Sequence, residues 1–151
     1  MSDSSGAKNS GSWGRRKARR ALVQAVYQWQ MSSNDIASVL DDFRADDALK
    51  KADVVFFGEM LRLVAQQAGD LDETFAKLLD RDVDKLDQVE RAILRLATAE
   101  FSHRIDIPFR VVIDEYVELA KVFGAQDSYK YVNGVLDRLA ADLRAIEVGA
   151  G

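Results

Sequence analysis

Residues 15–30 read Arg-Arg-Lys-Ala-Arg-Arg-Ala-Leu-Val-Gln-Ala-Val-Tyr-Gln-Trp-Gln and predict a helix with two different faces. Its apolar residues recur at helical spacing and form one stripe, namely Ala18, Leu22, Ala25, Val26 and Trp29. A second face carries Arg16, Arg20, Gln24 and Tyr27. Because cations neutralise phosphates and aromatic rings stack on unpaired bases, this second face suits single-stranded RNA. The alternative is a basic helix face that is simply solvated.

Charge is distributed unevenly along the chain of 151 residues. Residues 1–30 hold six Lys or Arg and a single acid, a net charge of +5. The whole chain carries −4, so residues 31–151 carry −9. This excludes a nucleic-acid binder with a uniformly basic surface and predicts a local cationic footprint on an acidic body. Since cations at a helix N-terminus oppose the helix dipole, they indicate a role other than helix stability.

The remaining composition predicts one soluble domain. There is no cysteine, which excludes disulfides and cysteine-based metal or nucleophilic sites. No apolar run approaches the roughly 18 residues of a membrane span, so we expect a cytoplasmic protein with no membrane partner. Residues 1–14, rich in Ser and Gly, are predicted to be a disordered tail before a helical domain over residues 15–148.

Every periodic segment has helical spacing, which predicts an all-α fold of seven helices. No segment alternates with the period of two that a strand requires. Asp35, Asp53 and Asp127 precede apolar stripes and are predicted to cap the helices that follow. Breaks between helices are predicted at residues 41–51, 69–70, 80–84 and 124, and the last apolar stripe runs from Val132 to Ile146.

Two pairs of residues deserve comparison with known catalytic arrangements. Glu100 and His103 form a Glu-x-x-His unit, which di-iron helical bundles use twice, but His103 is the only histidine. A surface histidine near a helix end is the alternative that we favour. Glu115 and Glu118 lie one turn apart, as acid–base carboxylates do, but a solvated acidic face is the simpler interpretation. We therefore predict neither an enzyme nor a cofactor or metal site.

A second cationic and aromatic segment precedes the last predicted helix. Lys130 and Tyr131 fall off or at the edge of the apolar stripe that begins at Val132. They extend the cationic face of the first helix only if the two helices pack side by side. The alternative for Tyr131 is an aromatic residue at the edge of the core.

Several motifs together resemble the NusB family of bacterial transcription antitermination factors. Besides residues 15–30, they are Gln-Val-Glu-Arg-Ala-Ile-Leu-Arg at 88–95, Ile-Pro at 107–108, Glu-Leu-Ala-Lys-Val-Phe-Gly at 118–124 and Lys-Tyr-Val-Asn-Gly-Val-Leu-Asp at 130–137. The resemblance runs from about residue 15 to 144 and is loose over residues 41–53. It implies an all-helical fold with two antiparallel three-helix subdomains and an extra helix.

The resemblance also implies a function without catalysis. Members of this family pair with the ribosomal protein NusE and bind the boxA element of nascent RNA, chiefly in ribosomal RNA operons. The complex joins elongating RNA polymerase together with other Nus factors. Some homologues self-associate, so the resemblance leaves open a homodimer of this chain.

Motif positions carry the family's site residues over to this sequence. The implied RNA-binding residues are Arg15, Arg16, Arg19, Arg20, Gln24, Tyr27, Asp127, Lys130 and Tyr131. The implied NusE-binding residues are Glu90, Arg81 and Asp84. At Tyr131 family members often carry Phe, and either ring can stack on a base.

Two other functional classes are compatible with the residues. One is a helical protein-interaction scaffold, in which the basic turn meets an acidic partner. The other is an RNA-binding module related to the NusB-like domains of RNA methyltransferases, which needs a Gly-rich cofactor domain not found in this chain. Binding of boxA-type RNA, measured with and without NusE, separates these alternatives.

Overall fold

A computed structural model describes residues 3–150, with side chains described for residues 11–149. All regular structure in this part of the chain is helical, which confirms the predicted all-α class. Two short 3-10 turns, at Asp47–Leu49 and Val83–Lys85, lie between helices. The seven α-helices are α1 (Asp3–Met31), α2 (Ile36–Ala45), α3 (Val54–Ala76), α4 (Gln88–His103), α5 (Phe109–Phe123), α6 (Ser128–Leu143) and α7 (Ala145–Ala150).

Helix α1 begins earlier than the sequence indicates. It extends from Asp3, so most of the segment predicted to be a disordered tail is continuous with the helix. Residues 1 and 2 lie outside the described part of the chain. The division into a tail over residues 1–14 and a domain over residues 15–148 stays a prediction.

Three more helix boundaries differ from the predicted ones, and the first is the end of α2, which continues to Ala45 within the break predicted at residues 41–51. The break predicted at residues 69–70 is absent, and α3 instead runs on through a kink at Gln67 (φ −118°, ψ 20°). The last predicted helix is divided, because Arg144 leaves the helical conformation between α6 and α7. Its guanidinium Nε donates a hydrogen bond to the carbonyl oxygen of Phe101 at 2.8 Å. Beyond this turn Ile146, predicted to lie on the buried stripe, is 91% exposed.

The predicted helix caps are confirmed at two of three positions. Asp35 accepts from the backbone N–H of Ser38, and Asp53 accepts from that of Phe56, each at 2.9 Å. The prediction for Asp127 is wrong in mechanism. Asp127 precedes α6 with a left-handed backbone (φ 68°), and its side chain makes no capping hydrogen bond.

The helices associate in two groups of three, which are joined through α4. Helices α1, α2 and α3 contact one another, as do α4, α5 and α6, while α7 packs on α6. Helix α4 joins the groups because it also contacts α1 and α3. Residues 92–101 of α4 are buried without exception, as expected of a helix surrounded on all sides. The two three-helix subdomains and the extra helix implied by the family resemblance are thus observed.

A buried ion pair fixes α1 against the second group of helices. Arg19 donates two hydrogen bonds to Glu100 of α4, from Nε to Oε2 at 2.9 Å and from Nη2 to Oε1 at 3.0 Å. Tyr116 of α5 donates its hydroxyl to the same Glu100 Oε2. Glu115 adds a second carboxylate, 3.4 Å from Arg19 Nη1. Burial and the charge of Glu100 raise the pKa of Tyr116 well above its usual value, so the phenol stays a donor.

Removal of Arg19 tests this interpretation. Arg19→Ala leaves the carboxylate of Glu100 buried without its cation, so we expect the free energy of unfolding to fall by about 3–5 kcal/mol. Arg20→Ala is the matched control, because Arg20 is exposed and the expected loss there is below ~1 kcal/mol. Urea denaturation measures both, and equal losses would contradict the assigned role of Arg19.

A second, partly buried cluster joins α3 to α4. Arg95 donates to both carboxylate oxygens of Asp72, at 2.8 Å and 2.7 Å, and Arg91 adds a hydrogen bond at 3.0 Å. Burial by itself would raise the pKa of Asp72. The hydrogen bonds and charges of the two guanidinium groups outweigh burial, and they lower the pKa below its ordinary value of 3.8.

This cluster predicts a dependence of stability on acid. A carboxylate whose pKa is lower in the folded state stabilises the protein above its unfolded pKa, and that stability is lost as the pH falls through the folded pKa. We therefore expect Asp72→Asn to lose less unfolding free energy than wild type as the pH falls below 3.8. Denaturant titrations across this range measure the difference. Parallel curves for the two proteins would show that Asp72 is not stabilised by its arginines.

Candidate RNA interface

The exposed face of α1 carries the polar row that the sequence predicts. The buried stripe of α1 points into the core, so Arg20, Gln24 and Tyr27 remain at the surface. Tyr27 is 40% exposed, so part of its ring is accessible to solvent. The guanidinium of Arg20 lies 5.4 Å from the ring centroid of Phe123 on α5. A cation and two rings are thus held together on one edge of the molecule.

An open groove of about 680 Å³ lies beside Tyr27. Its walls come from α1, α2, α5 and the start of α4, and they are formed by Val23, Gln24, Tyr27, Gln28, Met31, Ser32, Phe43, Val89 and Phe123. Three aromatic rings and several aliphatic side chains line it, with amide groups at one side. Such walls suit a flat, mainly apolar group that also forms hydrogen bonds, as a nucleobase does.

The α5–α6 turn is held tightly next to this groove. Gly124 follows Phe123, and a Cβ at this position would lie 2.6 Å from the carbonyl oxygen of Ala120. Only glycine therefore allows this close approach of backbone to backbone. Ser128, four residues later, donates its hydroxyl to Glu90 Oε2 at 2.6 Å and so joins the start of α6 to the start of α4. Phe123 packs against the core and also forms part of the groove wall.

The N-terminal part of the cationic row is partly neutralised by acids. Arg16 is 64% exposed but forms an ion pair with Glu115 at 3.2 Å. Arg15 is half-buried in a shallow cavity that Asp106 and Asp114 also line. The positive charge of these two residues is therefore offset locally, whereas Arg20 has no carboxylate within ion-pair distance among the described side chains.

Arg19 does not belong to the exposed row. The family resemblance implied an RNA-binding role for Arg19, but its side chain is 2% exposed and its guanidinium is bound to Glu100 and Glu115. The acids Glu100 and Glu115 hold Arg19 on the inner side of α1. We assign to Arg19 a structural role and remove it from the candidate interface.

Glu90 is also occupied within the fold. It is 7% exposed and forms a capping box at the start of α4, in which Oε1 accepts from the backbone N–H of Asp87. Oε2 accepts from Ser128, as described above. The two carboxylate oxygens therefore stabilise the meeting point of α4 and α6, which is not the surface contact that the family resemblance implies for Glu90.

The other implied residues lie on the surface around the start of α6. The guanidinium of Arg81 stacks 4.2 Å from the ring centroid of Tyr131, so an implied NusE-binding residue contacts an implied RNA-binding residue. Lys130 and Asp127 are exposed and pair with each other at 3.4 Å. Asp84 is exposed on the 3-10 turn Val83–Lys85. Tyr131 is partly buried against the core and stacks on Arg81, as in the alternative of an aromatic residue at the edge of the core.

The residues considered for catalysis are not arranged as a catalytic site. Glu100 is fully buried against Arg19, while His103 is exposed and lies 3.0 Å from the amide oxygen of Gln67. Glu115 is held in ion pairs with arginines, so it is not the solvated residue predicted from the sequence. Within the described side chains, no three His, Cys, Asp or Glu residues come together as metal ligands. None of the described helices is long and apolar enough to cross a membrane.

The fold and its cationic, aromatic edge define an all-helical binding domain. Comparison with known proteins gives the family. The NusB family model matches residues 16–141. Curated proteins named "Transcription antitermination protein NusB" from Pectobacterium carotovorum and Serratia proteamaculans are 52% and 51% identical over 130 residues, which is 86% of this chain and 94% of each relative. The chain belongs to the NusB family, whose members are transcription antitermination factors and not enzymes.

A solved structure supports the same conclusion. The structure of T. maritima NusB matches with a TM-score of 0.76 and 31% sequence identity. The match covers 85% of this chain and 91% of that one. The similarity therefore extends over almost the whole helical domain.

The contact between Ser128 and Glu90 yields a prediction for the edge of the interface. Ser128→Ala leaves a buried carboxylate oxygen without its donor, so we expect a loss of about 1–3 kcal/mol in the free energy of unfolding. Ser102→Ala, an exposed change on α4, is the control and should stay within ~0.5 kcal/mol of wild type. Chemical denaturation measures both. Identical values for the two variants would mean that the hydrogen bond does not hold α6 in place.

Proposed function

We propose that this protein is an antitermination factor that binds boxA-type RNA in nascent transcripts, chiefly those of ribosomal RNA operons. It acts in the cytoplasm as a heterodimer with the ribosomal protein NusE. In this form it joins the elongating RNA polymerase complex together with other Nus factors. The observation that carries the proposal is the exposed row Arg20, Gln24 and Tyr27 beside an aromatic groove. Membership of the NusB family supports it independently.

The row divides the work of RNA binding between two kinds of side chain. Arg20 supplies a positive charge for the phosphate backbone, which gives affinity without sequence preference. Tyr27 offers an accessible ring on which an unpaired base stacks, and the adjacent groove receives that base or its neighbour. Arg16 contributes from the edge once its pair with Glu115 opens. Because so few groups read base edges here, sequence specificity belongs to the heterodimer.

The start of α6 provides the second part of the proposed interface. Lys130 and Asp127 are exposed polar groups there, and the partly buried ring of Tyr131 stacks against the guanidinium of Arg81. Arg81 and Asp84 continue this surface towards the partner protein. Glu90 supports the partner surface from within, because it fixes the start of α4 against α6.

Substitution of Tyr27 tests the stacking contact. We expect Tyr27→Ala to weaken binding of boxA-type RNA by about 1–3 kcal/mol, the usual contribution of one stacked base. Tyr27→Phe keeps the ring and should bind with nearly wild-type affinity. Fluorescence anisotropy with labelled RNA, in the presence and absence of NusE, measures all three proteins.

The outcomes separate the proposal from its alternatives. Affinity that is the same for Tyr27→Ala and wild type removes Tyr27 from the interface. If the protein binds NusE but binds no RNA, either alone or together with NusE, the result would favour a protein-interaction scaffold. Circular dichroism of each variant confirms that the helices remain folded.

A further inference from the structure

We propose that Lys50 and Lys51, in the turn between α2 and α3, form a second wall of the RNA path and hold its phosphate backbone against α1. This inference rests on the proposed function and extends it to a segment where the family resemblance is loose. It assigns RNA contacts to two residues that no sequence motif indicated. It also predicts the course of the strand, which runs between α1 and this turn and then reaches Tyr27.

The geometry brings the turn next to the exposed face of α1. A groove of about 470 Å³ separates α1 from the 3-10 turn Asp47–Leu49 and the two residues that follow it. The α1 wall consists of Lys17, Arg20, Ala21 and Gln24, and the opposite wall consists of Asp47, Ala48, Lys50 and Lys51. Leu49 anchors the turn, because its side chain is buried in the core between the exposed residues. The position of the lysines is therefore fixed by the fold.

The charge of this groove is strongly positive. Four cations line it against the single carboxylate of Asp47. Two other cations of the candidate interface are held in ion pairs, Arg16 with Glu115 and Lys130 with Asp127. Among the described side chains, none of the four cations in the groove lies within 4.0 Å of a carboxylate oxygen. A concave surface lined by unneutralised cations concentrates its field on an anion inside it.

The backbone at Lys51 adds a second observation. Its φ of 65° lies in the left-handed region, which a lysine adopts only at a cost. A glycine or asparagine would form this turn more easily, yet the position carries a long cationic side chain. A strained residue at the wall of a charged groove is typical of a functional surface.

The arrangement favours a single-stranded RNA over an acidic protein segment. Gln24 lines both this groove and the aromatic groove that contains Tyr27, so the two grooves adjoin each other along α1. Arg20 and Tyr27 lie seven residues apart on α1, which is about 10 Å along the helix axis. Single-stranded RNA offers both phosphates, which the cations at one end can bind, and bases, which can stack on the rings at the other end. An acidic peptide would bind the cations, but its carboxylates would gain nothing from the aromatic rings.

A double variant removes the charges while keeping the turn. Lys51→Asn retains a residue that tolerates a positive φ, and Lys50→Gln keeps most of the side-chain length. The matched control is Lys77→Gln with Arg110→Gln, which removes two exposed cations that do not line the groove. Binding of the same boxA-type RNA is measured over a range of salt concentrations for the wild type and both variants. Thermal unfolding monitors the fold of each.

We expect the groove variant to flatten the plot of log affinity against log salt concentration by about 0.7 per lost phosphate contact, hence about 1.4 for both lysines. The control variant should keep a slope close to that of the wild type. A wild-type slope in the groove variant would overturn this inference and leave the proposed function standing. The same result is expected if an acidic protein segment, and not RNA, binds in the groove. Absence of RNA binding by the wild type would overturn the proposed function itself.

Discussion

The buried ion pair between Arg19 and Glu100 is the interaction on which the rest of the structure depends. It crosses between the two helix groups, since Arg19 lies on α1 and Glu100 on the central helix α4. Tyr116 and Glu115 of α5 complete it, so three helices meet at one guanidinium. A buried charge is tolerated only when its partners are held in good geometry. Rotation of α1 about its axis would move Arg19 away from Glu100, so the ion pair fixes the rotation of this helix.

That rotation determines which side of α1 faces solvent. Successive residues of a helix are separated by about 100° around its axis. With Arg19 turned inward to Glu100, Arg20 points outward, and Gln24 and Tyr27 follow it on the same face. The buried ion pair therefore determines which residues of α1 are exposed, although it is not itself part of the exposed face. The same acids limit the surface, because Glu115 also pairs with Arg16 and reduces the charge at that end of the row.

Neighbouring elements lie on both sides of the exposed face of α1 and form grooves along it. Phe123 and the α5–α6 turn form one side, where Gly124 permits a backbone approach that no other residue allows. The turn that carries Lys50 and Lys51 forms the other side. Because the acidic remainder of the chain disfavours phosphates, the proposed RNA path is limited to this edge. A small domain with a net negative charge is therefore compatible with RNA binding, provided that its cations are gathered in one place.

Periodicity was sufficient to predict the helical class. Residues spaced as Val132, Val135 and Leu136 lie on one face only in a helix, and the structure buries all three. Periodicity did not reveal that Arg19 is internal, since its partner Glu100 lies 81 positions away in sequence. The exposed Ile146 was mispredicted for a similar reason, as contacts of Arg144 with the end of α4 divide the last helix. For the site, the sequence indicated the row on α1, whereas the grooves depend on which helices become neighbours.

The most direct test of the central claim is a map of RNA contacts on the folded protein by NMR. Titration of isotope-labelled protein with boxA-type RNA reports changes in the amide signals of every described helix. We predict that the largest changes cluster on the exposed face of α1 between Arg20 and Tyr27, with the turn at residues 47–51 and the α5–α6 turn. Changes confined to α3 and α7, with the signals of α1 unaltered, would contradict the account.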